Sequence, residues 1–232
     1  MNRQVKALAR ELKKPDKNRD AYLGYYTERD LSVLLKYLPK RCSILDVGGG
    51  YGRLAIPLAK KGYSVTVLDP IKEFLEIAES RAKKERVRIK TVIGKAEKLP
   101  FADRSFDAVL AMRDVLNYCQ DHRKAVKELV RVCRKGGVIA VSCGAGKTGA
   151  KRHRTGEGFS TRVFSVAELK RLFKSQKILE VTGDSIVMPL LRKNTYNALK
   201  KTRKQILEID KELAKEENLN FFDHIILVAR KV

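Results

Sequence analysis

The chain has 232 residues, 44% hydrophobic and 33% charged, which is enough apolar material for a sizeable core and argues against intrinsic disorder. No apolar run approaches the ~20 residues of a bilayer span, and Met1-Asn2-Arg3-Gln4 leads into a charged amphipathic stretch instead of a signal-peptide core, so a cytoplasmic protein with no membrane partner is expected. Fifty Lys and Arg against 27 Asp and Glu give +23, of which +6 falls in residues 1–41, +9 in 42–147 and +8 in 148–232. No detachable basic tail accounts for the surplus, which fits either a polyanionic partner such as RNA or a plain solubility role.

In chain order, Val5, Leu8, Ala9 and Leu12 recur at helical spacing, and a polar break from Lys14 to Asp20 follows. Tyr22, Tyr25 and Tyr26 come next. Thr27-Glu28-Arg29-Asp30 reads as a capping box opening a helix with Leu31, Leu34, Leu35 and Leu38 on one face, stopped by Pro39. Residues 1–41 are thus expected to form an N-terminal helical cap, and 42–232 one further domain.

From residue 43 the pattern alternates. Ser43–Val47 reads as a buried strand ending in a glycine-rich turn, Gly48 to Gly52, and Leu54, Ala55, Leu58 and Ala59 as a helix face closed by Gly62. Ser64–Asp69 is a second strand, 71–84 a second helix, 87–93 a third strand and 106–111 a fourth. Asp121 caps a helix carrying Ala125, Val126, Leu129, Val130 and Cys133, which Gly136-Gly137 ends, and 138–143 is the fifth strand. Such alternation specifies a doubly wound α/β fold, its sheet mostly parallel with helices on both faces. Ligands on such sheets bind outside the carboxyl ends of the strands, where strand order reverses.

Residues 144–161 form a polar, basic stretch too irregular for core. Ser165 caps a short helix, 178–187 reads as strand, 191–217 as a helical insertion and 221–232 as a last strand. The insertion carries the apolar stripe Leu199, Ile206, Ile209 and Leu213, with bases gathered before residue 205 and acids after 207. That order opposes the helix dipole at both ends, so Lys200, Lys201, Arg203 and Lys204 are expected to face an anionic ligand. Cys42, Cys119, Cys133 and Cys143 form no C-x-x-C pair and the three histidines are scattered, so no metal site is expected.

In Asp46-Val47-Gly48-Gly49-Gly50-Tyr51-Gly52-Arg53 the glycines permit close backbone approach to a ligand. Arg53 stands where a dinucleotide fingerprint would need its third glycine, leaving G-x-G-x-G. Asp69, 17 residues after Gly52, ends the second strand, where a carboxylate can accept both hydroxyls of a ribose. Together these features point to a nucleoside-containing cofactor.

These segments resemble the class I S-adenosylmethionine-dependent methyltransferases, small single-domain type. Ile44 to Gly52 is similar to that family's first motif and Val67-Leu68-Asp69 to its second. Gly94 to Phe101 with Ser105 to Val109 resembles its adenine-side motif and fourth strand, and Arg134-Lys135-Gly136-Gly137 the turn before its fifth. The resemblance implies a seven-stranded sheet with an antiparallel last strand. It also implies S-adenosylmethionine as cofactor, held by Asp46 and the backbone of Gly48 and Gly50 at the methionine amine and carboxylate. Asp69 would take the ribose, Ala96 and Glu97 would border the adenine, and Met112 and Arg113 would lie near the methyl. Lys95 stands where the family often has an aspartate, so Glu97 or backbone alone must read the adenine amino group.

Methyl transfer from a sulfonium needs alignment and water exclusion more than a catalytic side chain, and a base only for an acceptor that keeps its proton. No catalytic residue is therefore singled out. Tyr22, Tyr25, Tyr26, His153 and Arg154 are candidates for the acceptor side. A small-molecule acceptor is the first expectation; RNA as acceptor, or a cofactor-binding subunit without catalysis, are the alternatives.

Overall fold

The computed structural model describes residues 17–146, 151–153, 160–185, 203–214, 219 and 224–232, with the side chains of 17–22, 151–161 and 203 outside the description. Helix α1 (Lys17–Leu34) precedes β1 (Ser43–Val47), α2 (Ala55–Lys60), β2 (Ser64–Asp69), α3 (Lys72–Lys84) and β3 (Lys90–Ile93). Then come β4 (Phe106–Ala111), α4 (Val115–Tyr118), α5 (His122–Val132) and β5 (Cys133–Gly144). The remainder comprises β6 (Lys151–His153), β7 (Ser160–Arg162), α6 (Val166–Leu172), β8 (Lys177–Gly183), α7 (Arg203–Leu213) and β9 (His224–Arg230). Seven strands form one sheet in the order β3-β2-β1-β4-β5-β9-β8, parallel from β3 to β5, with β9 antiparallel to both neighbours. This is the doubly wound fold expected. Strand order reverses between β1 and β4, so their carboxyl ends flank the crevice where such sheets bind ligands.

Strand alternation divides the core. Leu45 and Val47 of β1, Val109 and Ala111 of β4 and Ile139 and Val141 of β5 face one side with α5, Leu169 and Phe173. Ile44, Ala108, Leu110, Val138 and Ala140 face the other, against the end of α1, α2 and Leu75 of α3. Leu110 lies fully buried in a central strand, where truncation to alanine costs about 2–5 kcal/mol. Two caps stand where the sequence placed them: Asp121 accepts from the Lys124 N–H, and Ser165 and Glu168 form a reciprocal capping box.

Four expectations are corrected. No helix starts at Thr27: α1 runs through it, and the Thr27 hydroxyl donates to the Leu23 carbonyl one turn back. The third strand starts at Lys90, three residues later than periodicity implied. Gly136-Gly137 does not end a helix; α5 stops at Val132, and β5 already includes both glycines, where its pairing with β4 shifts register. A Cβ on Gly137 would lie 2.7 Å from the Asp107 carbonyl oxygen and the Cys133 sulfur, so the irregular pairing requires glycine there. Finally, the stretch after β5 includes two short strands, β6 and β7, paired antiparallel with His153 opposite Ser160. The amphipathic segment at 2–13 lies outside the described residues.

Candidate functional site

The turn after β1 is held from beneath by the end of β2. The N–H groups of Gly48 and Gly49 donate to the Leu68 carbonyl at 2.7 and 3.3 Å. Asp69 accepts from the Gly50 N–H through Oδ2 at 3.0 Å and from the Ile71 N–H through Oδ1 at 2.9 Å. Each Asp69 oxygen keeps acceptor capacity, so a diol can still bind there. Burial raises the Asp69 pKa, opposed by those two backbone hydrogen bonds. Gly48 and Gly50 have φ of 65° and 52°, the left-handed region that side chains resist. With both N–H groups engaged, their carbonyl oxygens are the backbone groups that can meet a ligand ammonium.

Asp46 lies buried under this turn, and its Oδ2 has no hydrogen-bond partner among the described residues. A Cβ on Gly49 would come within 2.6 Å of that oxygen, so only glycine lets the carboxylate stand where it does. Burial pushes the Asp46 pKa up to about 7, with Arg53 opposing and Asp69 and Asp30 adding to the rise. An orphaned buried carboxylate beneath a glycine turn is suited to a ligand cation, because leaving it bare is costly. Asp46 and Asp69 thus fit the two ends of an adenosyl-amino-acid cofactor.

The other residues expected to contact the cofactor follow β3 and β4 in the chain. Ala96 is buried after β3, and the Glu97 carboxylate accepts from the Gln120 N–H at 3.0 Å, so it fastens two loops together. Met112, at the end of β4, is a core residue. Arg113 and Asp114 follow with φ of 62° and 71°, two consecutive non-glycine residues in the left-handed region. Val115 then packs on the turn, since a Cβ on Gly48 would sit 2.5 Å from its Cγ2.

Beside this crevice lies a polar interior that the sequence reading did not find. The Arg113 guanidinium, expected near the methyl, reaches Asp184 Oδ2 at 2.5 Å and lies 4.0 Å from the centre of the Tyr26 ring. His224 opens β9 between two carboxylates, with Nε2 3.0 Å from Asp114 Oδ2 and Nδ1 3.2 Å from Asp184 Oδ2. Those carboxylates raise its pKa well above the ordinary value, overcoming burial and the Arg113 charge. Arg29 of α1 donates to Thr182 Oγ1, the Gly183 carbonyl and the Asp184 carbonyl at 3.0, 2.6 and 3.2 Å. Next to it, Asp30 pairs with Arg53 of the glycine turn at 2.6 Å. Helix α1 therefore ties the end of β8 to the turn after β1.

The acceptor-side candidates divide. Tyr25 and Tyr26 are buried and meet edge to face, their ring centres 5.4 Å apart. The Tyr25 hydroxyl donates to Asp210 of α7, which also accepts from Ser185 Oγ at 2.6 Å. Both tyrosines are thus part of the cover over this end of the sheet. Tyr22 lies in α1 and His153 in β6, both with side chains outside the description; Arg154, Lys200 and Lys201 lie outside the described residues. The apolar stripe expected on the insertion is corrected: α7 buries Ile206, Leu207 and Asp210, while Ile209 and Leu213 are exposed. Asp210 turns inward because Tyr25 and Ser185 satisfy its carboxylate, and the helix rotates with it. Among the described residues no cluster of three or more His, Cys, Asp or Glu is placed to hold a metal ion. Nor is any described helix long and apolar enough to cross a membrane.

Comparison with known proteins agrees with the fold. The family described as "Methyltransferase domain" matches residues 45–141. An uncharacterized protein of Mycobacterium tuberculosis is 40% identical over 98 residues, 42% of this chain and 35% of that protein, so the match spans about a third of the relative's length. A solved S-adenosylmethionine-dependent methyltransferase of Methanosarcina mazei shares the fold at TM-score 0.63 and 22% identity, covering 86% of this chain and 97% of that one. The 1,6-didemethyltoxoflavin-N1-methyltransferase of Burkholderia thailandensis, solved with 1,6-didemethyltoxoflavin and S-adenosylhomocysteine, shares it at TM-score 0.64 and 16% identity, covering 89% and 78%.

Proposed function

We propose that this chain, which belongs through residues 45–141 to the class I S-adenosylmethionine-dependent methyltransferases, transfers the cofactor's methyl group to a small-molecule acceptor. The observation that carries this reading is the buried Asp46 oxygen without a partner, set beneath a glycine turn that Asp69 fastens. When bound, S-adenosylmethionine supplies a methyl on a sulfonium, reactive enough for in-line displacement. Asp46 and the carbonyl oxygens of Gly48 and Gly50 would balance the amino group of its methionine end. Asp69 would accept from the ribose hydroxyls, Ala96 and Glu97 would border the adenine, and Met112 and Arg113 would stand beside the reacting end.

Alignment and exclusion of water are then what the protein must provide. Helix α1, with Tyr22, Tyr25 and Tyr26, would close the acceptor side as an N-terminal cap on the domain that follows, and His153 and Arg154 would serve the acceptor. The enclosed, hydrogen-bonded character of the Arg29–Asp184–His224 interior supports a small acceptor over a macromolecular one. Two carboxylates flank His224 and raise its pKa well above the ordinary value, which favours a positioning charge over a base. The Burkholderia methyltransferase, solved with a small heterocycle, supports the same class.

Calorimetry with S-adenosylmethionine and its demethylated product tests the cofactor half: both bind, and Asp69→Ala weakens them at least thirtyfold, by about 2 kcal/mol, the worth of a charge-assisted hydrogen-bond pair. Undiminished affinity in the variant would overturn it. Label from methyl-labelled cofactor should then enter a small-metabolite extract; transfer into cell RNA alone would overturn the acceptor class.

A further inference from the structure

We propose that the opposite edge of the sheet, at the amino ends of the parallel strands, is a docking surface for the phosphate backbone of RNA, separate from the methyl-acceptor crevice. In strand order this edge presents Lys90 on β3, Lys61 before β2, Arg41 before β1, Arg104 before β4, Lys135 in β5, Arg230 ending β9 and Lys177 opening β8. All seven are exposed, and among the described residues none has an ion-pair partner. Acids on the same edge are already matched: Glu85 with Lys60, Asp103 with Arg131 and Asp107 with Arg134. Seven strands spaced about 4.8 Å apart make this a cationic line about 29 Å long.

Fold stability does not require these charges. Helices α2, α3, α5 and α6 end on this edge, and bases in their last turns answer the helix dipole. Of the seven, only Lys61 caps such a helix. Backbone conformation gives the stronger argument. Arg41, Arg86 and Arg104 have φ of 53°, 56° and 56°, where glycine is favoured and every larger residue is strained. Arg86 occupies the glycine position of a Schellman ending to α3, its N–H on the Lys83 carbonyl and that of Val87 on the Ala82 carbonyl. Three strained positions on one edge all carry a guanidinium, which points to a ligand that the charge serves.

The edge also indicates the kind of partner. Val232 is the one large exposed apolar side chain there among the described residues, the others lying elsewhere, so it offers little to insert into a membrane. Among the described residues it consists of strand-end turns and helix ends, with no helix or ribbon projecting to enter a major groove as DNA readers have. Contact with phosphates along a shape is how helical RNA is held.

The test uses the full-length protein and a fluorescent 20-base-pair RNA hairpin, titrated from 50 to 200 mM salt. Contact with about four phosphates gives a slope of log affinity on log salt near −3.6, or roughly a hundredfold loss over that range. Replacing Arg41→Gly, Arg86→Gly and Arg104→Gly together relieves three strained backbones, so an unchanged or raised melting temperature will show the fold intact. The slope should flatten by about two to three units and the affinity at 100 mM salt fall at least tenfold. Arg123→Gln, Lys124→Gln and Lys127→Gln on α5 should leave RNA affinity within about twofold. Cofactor affinity should be unchanged in every variant, which separates this proposal from the cofactor reading. It is overturned if the triple glycine variant binds RNA like the wild type, if duplex DNA binds as tightly as RNA, or if only phosphatidylserine vesicles or an acidic polypeptide bind the edge.

Discussion

Replacing Asp46 by asparagine should stabilise the cofactor-free protein, and more at pH 8 than at pH 5. Burial raises this carboxyl from 3.8 to about 7, so ionising it inside the fold costs about 4 kcal/mol at ~1.4 kcal/mol per pKa unit. Below pH 4 both folded and unfolded chains hold the proton, and the stability linked to it is fully present. Between pH 4 and 7 the unfolded chain releases the proton and the folded one keeps it, so stability falls as pH rises. The loss is about 1.5 kcal/mol at pH 5 and about 4 kcal/mol at pH 8. The amide of the variant does not titrate, so its advantage should grow by about 2.5 kcal/mol between the two conditions. Urea unfolding of both proteins at both pH values measures that difference of differences, in which all other titrating groups cancel. A change below about 0.5 kcal/mol, or of opposite sign, would refute the account of Asp46 as a strained buried carboxyl.

The same linkage makes cofactor affinity depend on pH. A bound ammonium requires ionised Asp46, so wild-type affinity should rise about tenfold from pH 5.5 to 7, while the asparagine variant binds weakly with a flatter profile; calorimetry at matched ionic strength checks it. Gly49→Ala, whose methyl would meet Asp46 Oδ2 at 2.6 Å and Val67 Cγ1 at 2.9 Å, should cost about 1–3 kcal/mol in urea unfolding and weaken cofactor binding. Tyr25→Phe leaves buried Asp210 with Ser185 but without the phenol, and a destabilisation of about 1–3 kcal/mol is expected by the same measurement. Asp184→Asn removes the shared partner of Arg113 and His224 and should cost about 3–5 kcal/mol.

The glycine turn was legible because backbone geometry restricts which residues can occupy it. A turn with positive φ at 48 and 50, and close contact at 49, admits little but glycine, and the strand-helix alternation around it follows from burial on both sheet faces. Asp69 could be placed because a single crossover fixes its distance from that turn. Thr27 misled for a local reason: four residues that can cap a helix can also lie within one when tertiary packing continues it upstream. The surplus charge could be counted but not located, since which turns share an edge depends on strand order.

The polar interior was hidden because its members lie far apart in sequence. Asp184, Asp210 and His224 each look like surface residues within their own segments, and they are buried only because Arg29, Tyr25, Arg113 and Asp114 arrive from elsewhere to satisfy them. A cover assembled this way behaves differently from an apolar lid. Removing one partner strands a charge, so the cover holds one position instead of sliding over the crevice. Neighbouring residues of α1 fasten it at two points: Arg29 grips the end of β8, and Asp30 grips Arg53 on the turn above Asp46. The Arg53 guanidinium is also the charge that most favours ionised Asp46. Arg53 thus links the carboxylate beneath the turn, through its charge, to Asp30 of α1 and the cover that helix carries. Arg53→Lys should weaken cofactor binding, because a point charge cannot meet Asp30 and Thr27 of α1 together as a planar fork can, which loosens the tie between the turn and the cover.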